Sequence, residues 1–428
     1  MTEHTSDLLR KLQRPLPSWA RPALLACVAV GAIAFVLLLL TADANRAWRI
    51  YHVNWLFWTG LAQGMVLFGA VTTVAKGRFA APLRRLGEAS VAFLPVSLIL
   101  FILLWFGRAE LFSWIRHPIT DIASKAFWLR DRFMFARDGA ALLLLFGMSI
   151  WFVAHGLRLD GALIGGNAPA KAQGLYARLG RDWNAPGRGA EFSWERREFI
   201  APLLIVAYAV CLGLVAFDLV MSLAPYWVSN LLGGFFFMGA WLAGLMGLAL
   251  MMLFWRRHYG LDELFTPKLQ HDVGKLCFAF TVFWAYLFFA QFLVIWYGNM
   301  PEETSFIFLR ITQPEWRGVS AAMLAMCFLI PFAGLMGVKP KKTTGTLATF
   351  ALISLAGLWI DRFVLVVPSI VQSAPRLPLG WQEVLITAGF FGLWGLSYLW
   401  FAERFPLVSP ALMEREFERR HHAHVSVE

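Results

Sequence analysis

Charged side chains inside long apolar runs are the residues most able to do chemistry in this sequence. A charge in hydrocarbon costs several kcal/mol, so each one asks for a reason. Asp218 stands near the end of one such run, with Ser222 four residues further on, a spacing that shares a helix face. A carboxylate there can relay protons or face a quinone; the structural alternative is a carboxylate hydrogen-bonded to a neighbouring helix near the outer headgroups. Arg137 and Asp138 lie about a turn inside another run. Neighbouring residues on a helix point in different directions, so each is expected to pair with another helix. Asp361, Arg362 and Glu383 sit near run ends and read similarly, as members of structural ion pairs, with snorkelling to the interface as the plain structural alternative. Glu88 follows Arg84 by four residues, the spacing of a helical salt bridge, although a carboxylate at a proton-entry mouth has the same spacing. His155 is read as the one histidine clearly inside a span; a bis-histidine haem needs two, so haem binding by this chain alone is disfavoured.

The elements that position these groups follow from composition. The chain has 428 residues, 59% of them hydrophobic and only 15% charged, with 38 Phe and 20 Trp. Soluble domains carry about 25% charge, and no soluble core hides this much apolar surface. A spanning helix needs roughly 20 apolar residues. That ruler gives ten spans near 22–41, 51–75, 86–107, 133–157, 199–224, 229–255, 273–297, 318–337, 345–367 and 382–402. The chain is thus expected to be an all-α polytopic membrane protein, with a segment 1–21, a membrane domain 22–402 and a tail 403–428. Residues 1–20 are polar and basic, and the first apolar run continues to spanning length, so no cleavable signal peptide is expected.

Orientation follows from Lys and Arg. Of these, 26 fall on the side of both termini and 11 on the other, which places the termini in the cytoplasm. The net charge of +11 is then an orientation signal, and no basic stripe interleaved with aromatics suggests nucleic acid. Cys27, Cys211, Cys277 and Cys327 are dispersed in apolar runs without a CxxC pair, so no iron–sulfur cluster, zinc site or disulfide is expected. The tail histidines 421, 422 and 424 are read as part of a solvated tail rather than a metal site.

Other positions read as packing. Gly60 and Gly64 form a GxxxG in the second span, beside Thr59 and Gln63, and Gly389, Gly392 and Gly395 recur in the tenth. Trp284, Phe288 and Gln291 share a face of the seventh span that would suit a quinone ring, though aromatic belts have the same composition.

Several longer strings carry a resemblance. His271-Asp-Val-Gly-Lys-Leu-Cys-Phe-Ala-Phe-Thr-Val-Phe-Trp-Ala-Tyr286 runs on through Gln291-Phe-Leu-Val-Ile-Trp-Tyr-Gly-Asn-Met-Pro-Glu-Glu-Thr304. This stretch resembles the NrfD/PsrC-like quinol-interacting membrane subunits, most of all the ActF subunit of bacterial alternative complex III. Phe217-Asp-Leu-Val-Met-Ser-Leu223, Leu358-Trp-Ile-Asp-Arg-Phe-Val-Leu-Val-Val-Pro368, Phe93-Leu-Pro95 and Val53-Asn-Trp-Leu-Phe-Trp-Thr-Gly-Leu-Ala-Gln-Gly64 resemble the same family, which extends the likeness over roughly 45–410.

The resemblance implies two four-helix bundles, helices two to five and six to nine, flanked by helices one and ten. It implies a bacterial inner-membrane quinol:electron-acceptor oxidoreductase with a second NrfD-like subunit, an iron–sulfur protein and c-type cytochromes as partners. Quinol oxidation in such a complex is usually attributed to the other NrfD-like subunit. This chain would hold no redox cofactor and would contribute quinone or quinol contact, proton conduction or assembly. By motif position Asp218 is carried over first, then His271, Asp272 and Asp361. The family often has an acidic residue and a histidine after Met-Ser-Leu, where this chain has Ala224 and Tyr226; a relay through those groups is not expected here. The competing readings are a secondary transporter and a structural membrane scaffold. Most prolines, such as Pro22, Pro202, Pro225, Pro331 and Pro368, lie near span ends rather than at the midplane breaks of transporters, Pro95 excepted.

Overall fold

The computed structural model describes residues 10–12, 15–41, 44–119, 122–164, 170–372 and 377–415. Among these residues ten helices are long and apolar enough to cross a bilayer, and there is no strand. They are α1 (Ala20–Leu40), α2 (Ala44–Val74), α3 (Ala81–Leu111), α4 (Asp131–Ile164), α5 (Ala190–Leu223), α6 (Leu232–Tyr259), α7 (Pro267–Gly298), α8 (Pro314–Leu335), α9 (Thr344–Ile370) and α10 (Trp381–Ala402). The protein is an all-α, multi-pass membrane protein, the form that satisfies every backbone group without water. Successive helices run in opposite directions. The start of α1 and the end of α10 therefore share one side, the near face, and the other side is the far face.

Packing divides the helices as expected. Within the first group α2 packs on α3 and α5, and α5 on α4; within the second, α6 packs on α7 and α9, and α9 on α8. α1 and α10 lie on each other, outside both groups. Small residues set the closest approaches, since lipid tails give no hydrophobic drive between helices. A Cβ on Gly31 would lie 2.5 Å from Gly389 Cα, and one on Gly392 would lie 2.7 Å from Leu24 O. The two bundles meet where α2 crosses α6, with Gly64 against Gly244 and Ala240. A Cβ on Gly244 would fall on the Gly64 carbonyl carbon, where only backbone can give way. Gly244→Leu is accordingly expected to destabilise the protein by at least about 3 kcal/mol, read as a lowered thermal midpoint in detergent; an unchanged midpoint would show that the crossing tolerates separation.

Local chemistry fixes the helix ends and breaks. Gly260, at φ 65°, closes α6 in the left-handed conformation, and Asn299, at φ 45°, closes α7. Thr266 Oγ1 caps α7 by accepting from Leu269 N at 3.3 Å. In α8 a π-turn spans Ala325–Leu329 just before Pro331, whose missing N–H and ring preclude a regular turn. At the end of α8, Lys341 Nζ donates to Leu335 O at 2.7 Å and Met336 O at 3.1 Å, a cation on the carbonyl end of the helix.

Three features depart from the sequence reading. α3, α4 and α5 run several residues beyond their apolar cores on the near face, because Arg85, Glu88, Asp160 and Arg197 are buried there in pairs that hydropathy cannot register. A short helix, Pro301–Thr312, lies between α7 and α8; Pro301 opens it and Glu302 and Glu303 occupy its first turn. The segment after α10 is not solvated in its described part: Phe405, Leu407, Val408, Ser409 and Leu412 are buried. The tail histidines lie outside the described residues.

Candidate functional site

Three groups of buried charge stand out, two in the first bundle and one in the second. On the far face, α5 ends with Asp218 fully buried. Its carboxylate accepts from Trp128 Nε1 at 2.8 Å, from Arg137 Nη2 at 2.5 Å and from Arg137 Nε at 3.0 Å. The Arg137 guanidinium also lies over the Trp128 ring, 3.7 Å from its centre. So Arg137 does pair with another helix, as expected. Asp138 behaves differently. It is fully buried beside Asp218, close enough for the two carboxyl groups to interact, yet neither of its oxygens has a hydrogen-bond donor among the described residues. Arg137 donates to Asp218 alone, so Asp138 is a carboxyl group beside a carboxylate with no cation bonded to it, an arrangement suited to proton exchange. Ser222 is not part of that carboxyl cluster: its hydroxyl donates to the Asp218 main-chain oxygen at 2.5 Å.

On the near face a four-membered network joins α3, α4 and α5. Arg85 Nη2 donates to Asp160 Oδ2 at 2.5 Å, and Arg85 Nη1 lies 3.1 Å from Glu88 Oε2. Arg197 Nη2 donates to Glu88 Oε1. Asp160 is held further by Ser409 Oγ at 2.5 Å and Ala411 N at 3.2 Å, so the segment after α10 seals the network. Two arginines balance two carboxylates, all four side chains being at most 1% exposed. The expected Arg84–Glu88 bridge is therefore corrected. Arg84 instead donates to Thr72 Oγ1 and Thr72 O, at 3.0 and 2.8 Å, because Arg85 and Arg197 reach Glu88 from the bundle interior. Gly156 is needed beside them: a Cβ there would fall on the Arg197 guanidinium. Outside the spans, Tyr176 packs near this network, and burial together with the Asp160 charge pushes its hydroxyl well above the usual phenol range.

Between the two groups, α2 carries a line of buried polar side chains. His52 Nε2 meets Leu219 O at 2.8 Å near the far face. Thr59 Oγ1 meets Ser97 Oγ at 2.6 Å, and Gln63 Nε2 donates to Ser149 Oγ at 2.8 Å. Gly69 then lies against Glu88. At 1.5 Å per residue the steps along α2 are about 6–10 Å. Side chains alone do not bridge such gaps. His52 Nδ1, Gln63 Oε1 and Ser193 Oγ have no hydrogen-bond partner among the described residues, and buried polar atoms of this kind are positions for ordered water. His52 also corrects the reading of His155 as the one intramembrane histidine. The two lie toward opposite faces, on α2 and α4, so they do not converge on one haem.

In the second bundle, Asp361 and Arg362 are buried within α9 rather than snorkelling. Arg362 Nη1 donates to Asp361 Oδ2 at 3.1 Å and Nη2 to Phe236 O at 2.9 Å. Glu383 is likewise buried: Arg46 Nε and Nη2 donate to it at 2.5 and 2.9 Å, and it accepts from Gly380 N at 2.7 Å. Glu383 does not snorkel because Arg46 on α2 reaches it, and Asp361 and Arg362 stay buried as a pair on one helix whose arginine also reaches Phe236 O on α6. Asp361, Phe288 and Gln291 line a cavity of about 380 Å³; Trp284 stacks behind Phe288 at 5.5 Å. His271 and Asp272 stand apart from all three groups, partly exposed at the near-face start of α7, with Asp272 paired to Lys275 at 2.7 Å.

Sequence reasoning missed Arg85, Asp160, Arg197, Ser409 and His52. Arg85, Asp160 and Arg197 fall just outside the apolar runs, and opposite charges beside span ends are a signal of buried pairing. No group of three or more potential metal ligands occurs among the described residues. Comparison with models of known protein families and with curated proteins finds no match for this chain.

Proposed function

We propose that this protein is a membrane subunit of a bacterial quinol:electron-acceptor oxidoreductase of the alternative complex III type, and that its own task is proton conduction through the first bundle. The observation that carries the proposal is the line of buried polar groups, spaced along α2, that runs from Asp138–Asp218 on the far face to Glu88–Asp160 on the near face. A scaffold has no use for a buried carboxyl group whose one polar neighbour is another carboxyl group, and each such group costs free energy. The resemblance of α2, α5, α7 and α9 to NrfD-like subunits supports the choice of complex.

In this reading Asp138 exchanges a proton with Asp218 and its surroundings while Arg137 and Trp128 hold Asp218 in place. Water positioned by His52, Thr59, Ser97, Gln63 and Ser149 carries the proton along α2. Glu88 and Asp160 receive or deliver it at the near face, which the excess of Lys and Arg assigns to the cytoplasm. Electrons travel elsewhere, through partner iron–sulfur and c-haem subunits, and this chain holds no redox centre.

The complex is tested by isolating the full-length chain from native membranes in mild detergent. Copurification with an iron–sulfur protein, a multihaem c-type cytochrome and a second ten-helix subunit is the expected result. A stable, haem-free isolate without partners would sink the assignment.

A further inference from the structure

Arg310 is an isolated buried charge. It lies on the short helix Pro301–Thr312 and is 6% exposed. Its Nε donates to Val364 O at 2.8 Å, Nη1 to Phe306 O at 2.8 Å, and Nη2 to Leu365 O at 3.1 Å and Ser369 Oγ at 2.7 Å. The guanidinium stacks on Phe306, 3.4 Å from the ring centre. These partners are dipoles and a ring, and none is an anion. No carboxylate among the described residues pairs with it, and burial alone pushes its pKa down to about 9, leaving it charged at neutral pH. Every other buried arginine described above has a carboxylate partner. A buried cation without a counter-charge is costly unless an anion is supplied from outside.

The surroundings indicate which anion. Arg310 lines the 380 Å³ cavity between α7, α8 and α9 and also a polar cavity of about 510 Å³ that holds Glu110 and Glu302, neither of which is paired with it. Phe288, Phe292, Ile295, Met323 and Val364 make most of its wall apolar. The exposed side chains of Ile311, Arg317 and Ala321 also line it, so it opens sideways toward the lipid phase at far-face depth. Asp361 lies in the same wall but is already joined to Arg362. The site is thus an apolar cavity in contact with two guanidinium groups, one buried and one exposed. A quinone ring is neutral and would leave Arg310 uncompensated.

We propose that this cavity is a site for an anionic phospholipid, with one acyl chain in the apolar wall and the phosphate held by Arg317 and Arg310. Phosphate suits the exposed guanidinium of Arg317 because it accepts parallel N–H bonds, and Arg310 adds its charge and the one N–H, on Nη1, that its four hydrogen bonds leave. The proposal does not depend on the proton path, which lies in the other bundle.

The test is lipid retention by the full-length chain in neutral detergent, measured by native mass spectrometry. Phosphatidylglycerol, phosphatidylcholine of the same chains and a polyprenyl quinone are compared. Phosphatidylglycerol is expected to bind at least about tenfold more tightly than phosphatidylcholine. Arg310→Gln should remove that preference. Arg317→Gln, at an exposed position, should reduce it, and Ala321→Phe, which narrows the opening, should weaken both phospholipids. Equal retention of the two phospholipids, a preference that survives both arginine variants, or tighter binding of the quinone than of either phospholipid would overturn the proposal.

Discussion

Asp138→Asn is expected to lower proton uptake by the assembled complex about 100-fold while leaving its thermal midpoint unchanged. The amide keeps the shape of the carboxyl group and removes its exchangeable proton. Stability is spared because neither Asp138 oxygen has a donor to lose. Asp218→Asn should behave differently. It deletes the acceptor of Arg137 and Trp128, so it should impair both proton uptake and stability. The separation of these phenotypes distinguishes a proton carrier from the residue that positions it. A scaffold predicts that neither variant changes proton uptake beyond what its loss of stability explains.

Arg85→Met is expected to cost about 3–5 kcal/mol of stability, the scale for breaking a buried ion pair from one side. It leaves Asp160 without its arginine and Glu88 with Arg197 alone, both carboxylates being fully buried. Replacing Asp160 as well, in Arg85→Met/Asp160→Leu, should recover part of the loss, because a buried pair exchanged for apolar side chains is often neutral. Thermal or denaturant midpoints in detergent check both variants. If the double variant is as unstable as the two single losses combined, the arginine and aspartate are not coupled, and the near-face network is misassigned.

Much of the architecture was legible because membrane insertion writes length and apolarity directly into sequence. The ten spans and the close packing at Gly60–Gly64 and at Gly389 and Gly392 follow from runs and small-residue spacing, whereas the partner helices do not. Asp138 and Asp218 were visible as charges inside apolar runs. What was not legible is which charge meets which. Glu88 has an arginine four residues before it, but its partners are Arg85, three residues before it, and Arg197, on α5. Asp160 and Arg197 lie past the ends of their apolar windows, so they read as loop residues until the buried segment around Ser409 covers them. Arg310 sits between spans and gave no signal at all; its isolation becomes visible only when its neighbours prove to be carbonyls and a phenyl ring.

The most direct measurement compares the two bundles. The assembled complex is reconstituted into sealed vesicles, and quinol-driven pH change is followed with Asp138→Asn, in the first bundle, and Asp361→Asn, in the second. The account predicts that Asp138→Asn abolishes proton movement beyond the two protons released per quinol oxidised while electron transfer between partner redox centres persists, and that Asp361→Asn leaves the movement intact. Proton movement that survives Asp138→Asn and fails with Asp361→Asn would contradict it.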